Sequence, residues 1–143
     1  MSRYLLDTNH CSAAIRRVSP LRDCLLHLAG RGDRFATCAS VLCELEAGIQ
    51  QVADVLAARR RLRHVLQRVR VWPIDFPLTT VFGTIYLELR RAGRILSHVD
   101  MLLAALARDR DAIILTTDRD FDALPDIRTE NWLIVPPTGS GTP

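Results

Sequence analysis

Four acidic residues, Asp7, Glu44, Asp100 and Asp118, keep company that surface acids rarely do. Asp7 ends the apolar run Tyr4-Leu5-Leu6, and Asp118 follows Ile113-Ile114-Leu115 after two threonines. Glu44 is flanked by Leu42, Leu45 and Ile49, and Asp100 by Met101, Leu102, Leu103 and Leu106. A carboxylate amid so much apolar surface is costly unless something neutralises it. If the acids share one crevice, each close pair repels by up to about 4 kcal/mol at roughly 4 Å and an effective dielectric near 20. A hard divalent cation removes that penalty, and all-oxygen ligands select Mg²⁺ or Mn²⁺ over zinc. Such an ion keeps open positions, so a water can become a nucleophile while charge on a phosphate is stabilised. Taken singly, each acid has an ordinary reading. Asp7-Thr8-Asn9 makes a good N-cap and turn, Glu44 a solvated helix residue, and Asp118 a cap. Asp100 is an acid favoured by the helix macrodipole.

The elements that would gather these acids alternate along the chain. Short apolar strands are expected at 3–6, 35–39, 71–74, 112–115 and 132–135, with Pro73 placing the third near an edge. Helical patterns cover 9–18, 40–48, 77–93 and 99–110, and Ser19-Pro20 reads as N-cap and first residue of a helix stopping at Gly30. Residues 50–70 read as one long arginine-studded helix, and a short helical turn follows Asp118. Strands apolar on both faces and alternating with helices imply an α/β fold with a central parallel sheet covered on both sides. The functional crevice of such a sheet lies outside the carboxyl ends of its strands. Asp7 and Asp118 fall there.

A chain of 143 residues fits one domain, here 1–135, with a Pro/Gly/Ser/Thr tail at 136–143 expected to be disordered. No apolar run is long enough to span a bilayer, and Asp7 interrupts the first one, so a cytoplasmic protein with no membrane role is expected. Net charge is +3, and every basic residue is an arginine. The arginine fork suits phosphate recognition, although a GC-rich gene would give the same bias. The absence of lysine weighs against a receiver domain or a haloacid-dehalogenase phosphatase, both of which need one beside their acidic pocket. Cys11, Cys24, Cys38 and Cys43 match no zinc spacing and read as buried free thiols.

Four blocks in register resemble the PIN-domain ribonucleases, and within them the VapC toxins of bacterial toxin–antitoxin pairs. Asp7-Thr8-Asn9 resembles the family's opening, and Glu44-Leu45-Glu46-Ala47-Gly48 its E-L-x-x-G helix. Asp100-Met101-Leu102-Leu103-Ala104-Ala105-Leu106-Ala107 resembles its D-x-x-I-A-A-x-A segment. Thr116-Thr117-Asp118-Arg119-Asp120-Phe121, with Leu124-Pro125 and Glu130-Asn131-Trp132, resembles its ending. The resemblance covers residues 3–135 and implies a three-layer αβα sandwich. It implies metal-binding carboxylates at Asp7, Glu44, Asp100 and Asp118, the first and third being principal ligands, with Asp120 assisting a second metal. It also implies positioning roles for Asn9 and Thr116, RNA as substrate, an antitoxin partner and a homodimer. A PIN fold used only for binding RNA or protein, and a housekeeping nuclease without an antitoxin, are the alternatives. Two stretches depart from the pattern: His10-Cys11 stands where an aliphatic pair is usual, and Leu96-Ser97-His98-Val99 precedes the third acid.

Outside the acids, Arg59, Arg60, Arg61 and Arg63 are either a solvated helix face or contacts to RNA or a partner. Phe121 and Trp132 read as core anchors, and Glu46, Asp122 and Asp126 as surface. Leu25, Leu26, Leu56 and Leu62 are expected to line an exposed groove suited to an amphipathic helix.

Overall fold

The computed structural model describes residues 1–134. The expected tail at 136–143 and the end of the expected last strand lie outside the described residues. Five strands, β1 (Arg3–Leu6), β2 (Arg34–Cys38), β3 (Val69–Trp72), β4 (Ile113–Leu115) and β5 (Thr129–Glu130), form one sheet in the order β3-β2-β1-β4-β5. Every pairing is parallel. Six helices cover it: α1 (Thr8–Ala14), α2 (Pro20–Gly30), α3 (Ala39–Ile49), α4 (Val55–Leu66), α5 (Phe76–Arg91) and α6 (His98–Arg110). The sheet is the middle layer of a three-layer α/β sandwich. Burial follows: Leu5, Leu6, Ala36, Ile114 and Leu115 are fully shielded, as strands covered on both faces require.

The helix starts follow local chemistry. Ser19 accepts from the Arg22 N–H with Pro20 just inside, and Ser97 accepts from the Asp100 N–H. The expected helix over 50–70 is overturned. Asp54 accepts from the Ala57 N–H and restarts the chain as α4 after a turn, and residues from Val69 onward pair with β2 as an edge strand. That pairing also moves the third strand two residues earlier than expected. The strand expected at 132–135 is corrected as well. β5 is Thr129–Glu130, and Trp132 instead turns into the core, its ring 4.7 Å from Tyr4 and 5.8 Å from Phe35. Phe121 is fully buried, so both aromatics anchor the core.

The expected leucine groove is corrected too. Leu25 is a core residue, Leu26 and Leu62 are half-buried, and only Leu56 is well exposed. A groove of about 440 Å³ opens elsewhere, among α1, α3 and the start of α4, lined by Ile15, Leu45, Ile49 and Val52 with Glu44 and Arg61. Among the described residues no helix is long and apolar enough to cross a membrane. Cys11 and Cys38 are buried and Cys24 half-buried, while Cys43 is exposed, against expectation; all are free thiols.

Candidate metal centre

The strand order places the site. The chain winds one way from β1 to β2 and β3, then returns to β4 and β5 on the other side, so β1 and β4 flank the point where winding reverses. A crevice forms at the carboxyl ends there. Asp7 leaves β1 into it, and its backbone N–H donates to the Leu115 carbonyl at 3.1 Å, fastening the two strand ends together. Asp7 is also the N-cap of α1: its Oδ1 accepts the His10 backbone N–H at 2.8 Å. The same oxygen lies 3.1 Å from His10 Nδ1.

Asp118 leaves β4 through a loop held by its own side chains. Thr116, buried, accepts the Asp118 N–H at 3.0 Å, and Asp118 Oδ1 accepts the Asp120 N–H at 2.8 Å. Asn9 Nδ2 donates to Thr117 Oγ1 at 2.9 Å, tying the first turn of α1 to that loop. Asn9 and Thr116 thus each hydrogen-bond to the loop that carries Asp118. Each of Asp7 and Asp118 spends one carboxylate oxygen on the protein, and the second takes no hydrogen bond among the described residues. Those free oxygens are what a hard cation needs.

Asp100 sits half-buried in the first turn of α6, the helix that packs on β1 and β4. Burial pushes its carboxyl up, the Ser97 hydroxyl partly offsets this, and the charges of Asp118, Asp7 and Glu44 add to the rise. The expected four acids therefore share one electrostatic field. They are not equally placed. Asp7 is buried, Asp100 and Asp118 are half-buried, and Glu44 is exposed on α3 at the mouth of the 440 Å³ groove. Asp120 is exposed, with its Oδ1 3.9 Å from Arg94 and its backbone N–H on Asp118 Oδ1. Among the described residues no three such side chains converge closely enough to hold an ion by themselves. The oxygen-only donor set and the free carboxylate oxygens fit a small divalent cation that keeps most of its water.

The arginines on α4 do not form one face. Arg59 is engaged by Glu46 across α3 and α4, so Glu46 is an inter-helix tie, and Arg61 donates to the Ile15 carbonyl at the groove. Arg60 and Arg63 are exposed with no ion-pair partner among the described residues. The sequence leaves two buried polar residues without an assigned role. Thr37 donates to the Leu6 carbonyl at 3.0 Å, one residue before Asp7. His10 is fully buried beside Asp7, and its spacing of three from an N-cap acid was the available signal.

A PIN domain model matches residues 4–127. The chain is 28% identical over 130 residues to ribonuclease VapC2 of Rickettsia felis, covering 90% of this chain and 97% of that protein. It is 28% identical over 134 residues to the tRNA(fMet)-specific endonuclease VapC of Shigella flexneri, covering 92% and 99%. Its fold matches a chain in the crystal structure of VapBC2 from Rickettsia felis bound to a promoter DNA fragment, with TM-score 0.78, 27% identity, and 90% and 98% of the two chains covered. The chain belongs to the PIN-domain family, and its relatives there are VapC proteins.

Proposed function

We propose that this protein is an endoribonuclease that hydrolyses RNA phosphodiester bonds with a divalent cation, Mg²⁺ with Mn²⁺ as substitute. We further propose that it acts in the cytoplasm as the toxin of a VapBC-type pair. The observation that carries this reading is the placement of Asp7 and Asp118 at the adjoining carboxyl ends of β1 and β4, each with one carboxylate oxygen free among the described residues. Asp7 and Asp100 are the principal metal-holding residues, Asp118 and Glu44 complete the acidic set, and Asp120 serves a second ion. When bound there, the ion supplies Lewis acidity toward the phosphodiester and the attacking water. Asn9 and Thr116 hold the strand-end loops in place, and Arg60 and Arg63 meet RNA phosphates. The names ribonuclease and tRNA(fMet)-specific endonuclease among the relatives support RNA as substrate. The VapBC complexes among structures of similar fold support an antitoxin partner.

The test is cleavage of single-stranded and transfer RNA by the purified protein with Mg²⁺, with Mn²⁺, and with a chelator. Cleavage that requires the ion and is lost in Asp7→Asn and Asp100→Asn is expected. Undiminished RNA binding with no cleavage in either metal would leave a PIN fold used only for binding.

A further inference from the structure

His10 is fully buried, and both of its ring nitrogens are committed. The Trp132 backbone N–H lies 3.2 Å from Nε2. A backbone N–H only donates, so Nε2 must be the unprotonated nitrogen and the imidazole carries its hydrogen on Nδ1. That hydrogen points at Asp7 Oδ1, 3.1 Å away. The tautomer is therefore set at one end by the chain after β5 and used at the other on the acid after β1.

We propose that His10 is a positioning residue for the metal-holding carboxylate of Asp7, locked in its Nδ1–H tautomer by the Trp132 backbone. This rests on the reading of Asp7 as a cation ligand. Two donors, the His10 N–H and the His10 ring, converge on Oδ1, which fixes the rotation of the carboxylate and leaves Oδ2 facing the crevice. A partner that orients a ligand in this way commonly governs metal affinity by about 10–100-fold. The aliphatic residue that the family resemblance implies at this position offers no such donor. The coupling is thus a feature of this chain's own sequence. Trp132 is held against Tyr4 and Phe35, so the packing of the carboxyl-terminal segment reaches the site through one ring.

Two variants separate the ends of this connection. His10→Asn keeps a donor where Nδ1 stands but cannot reach Trp132; His10→Gln keeps an acceptor near Nε2 but leaves Asp7 only the backbone N–H of residue 10. Mn²⁺ titration by calorimetry, with melting temperature measured alongside, is expected to show His10→Asn binding as the unaltered protein does. His10→Gln is expected to bind about tenfold more weakly, with similar losses of melting temperature in both. Equal weakening in the two variants, or none in His10→Gln, overturns the proposal and makes His10 a packing residue. Failure of the unaltered protein to bind Mn²⁺ overturns the metal reading and this one with it. Imidazole nitrogen NMR on the unaltered protein needs no variant to fold: protonated Nδ1 and bare Nε2 are expected, and a protonated Nε2 overturns the proposal.

Discussion

Asp100 is held at an electrostatic cost. Burial first, then the charges of Asp118, Asp7 and Glu44, raise its carboxyl above the ordinary value of 3.8. The folded state therefore holds that proton more tightly than the unfolded chain does. Its stabilising effect is complete below the ordinary carboxylate range and is lost as pH rises through the raised folded value. At neutral pH without divalent ions the charged side chain opposes folding. Asp100→Asn is accordingly expected to melt at the same or a higher temperature, by up to about 1 kcal/mol, with the difference vanishing as pH falls below the ordinary range. Activity should drop by more than the roughly 100-fold that loss of an outer partner costs. Thermal melts across pH, paired with RNA cleavage, check both; a clear loss of stability at neutral pH would contradict the reading. All the acids of this cluster were legible in the sequence because charge within apolar runs is conspicuous. Glu44 was read with the rest, yet the structure leaves it exposed, since flanking leucines mark a buried helix face and not which face an acid occupies. His10 was not legible as a partner of Asp7, because its other contact, Trp132, is distant in sequence and depends on the core turning the chain away from a strand.

Among the elements, Arg108 of α6 joins three parts of the chain. It donates to both oxygens of Glu88 on α5, at 3.0 and 2.9 Å, and to both oxygens of Asp126, at 2.8 and 2.7 Å. Arg108 holds the Asp126 carboxyl below the usual range. A lowered folded value means stability present above the ordinary range and lost as pH falls through the lowered one. Asp126→Asn should therefore cost about 0.2–1 kcal/mol at neutral pH, the small figure reflecting the half-exposed carboxylate, and nothing in strong acid. Denaturant midpoints at the two pH values check this. On α4, Arg60→Gln with Arg63→Gln should reduce the log–log salt slope of RNA binding by roughly 0.7 per lost phosphate contact. Arg59 is spoken for by Glu46, and replacing it should change the slope little. An unchanged slope in the double variant would return the run to a solvated face. Helix starts were readable wherever a serine or proline supplied the cap. The break inside 50–70 was not: helical periodicity runs through it, while Asp54 restarts the helix after a turn and the pairing of β3 with β2 ends it.

Across the molecule, the parallel α/β plan follows from the alternation of strands and helices, but the strand order does not. That order is what brings Asp7 and Asp118 side by side, and no local pattern encodes it. It also moves the groove from the expected leucines to the space among α1, α3 and α4, where Ile15, Leu45, Ile49 and Val52 form an apolar floor ending at Glu44. A partner helix with one apolar face fits such a floor, and an arginine following it would meet Glu44 at the end of the groove. A second apolar surface remains on α5 and the loop after it, where Tyr86 and Leu87 are about half exposed and Ile95 is almost fully so. Tyr86 and Ile95 line one shallow cavity there, and a second copy of the chain is the cover we expect for it. Light scattering should report a dimer for the free protein, and Ile95→Asp should shift it to monomer without changing the fold. Expression alone should arrest bacterial growth, and co-expression with the cognate antitoxin should restore it. A Val52→Arg change at the exposed rim of the groove floor should leave toxicity in place and abolish that rescue. Growth unaffected by a protein that cleaves RNA in vitro would point instead to a housekeeping nuclease. Rescue that survives Val52→Arg would place the antitoxin on another face.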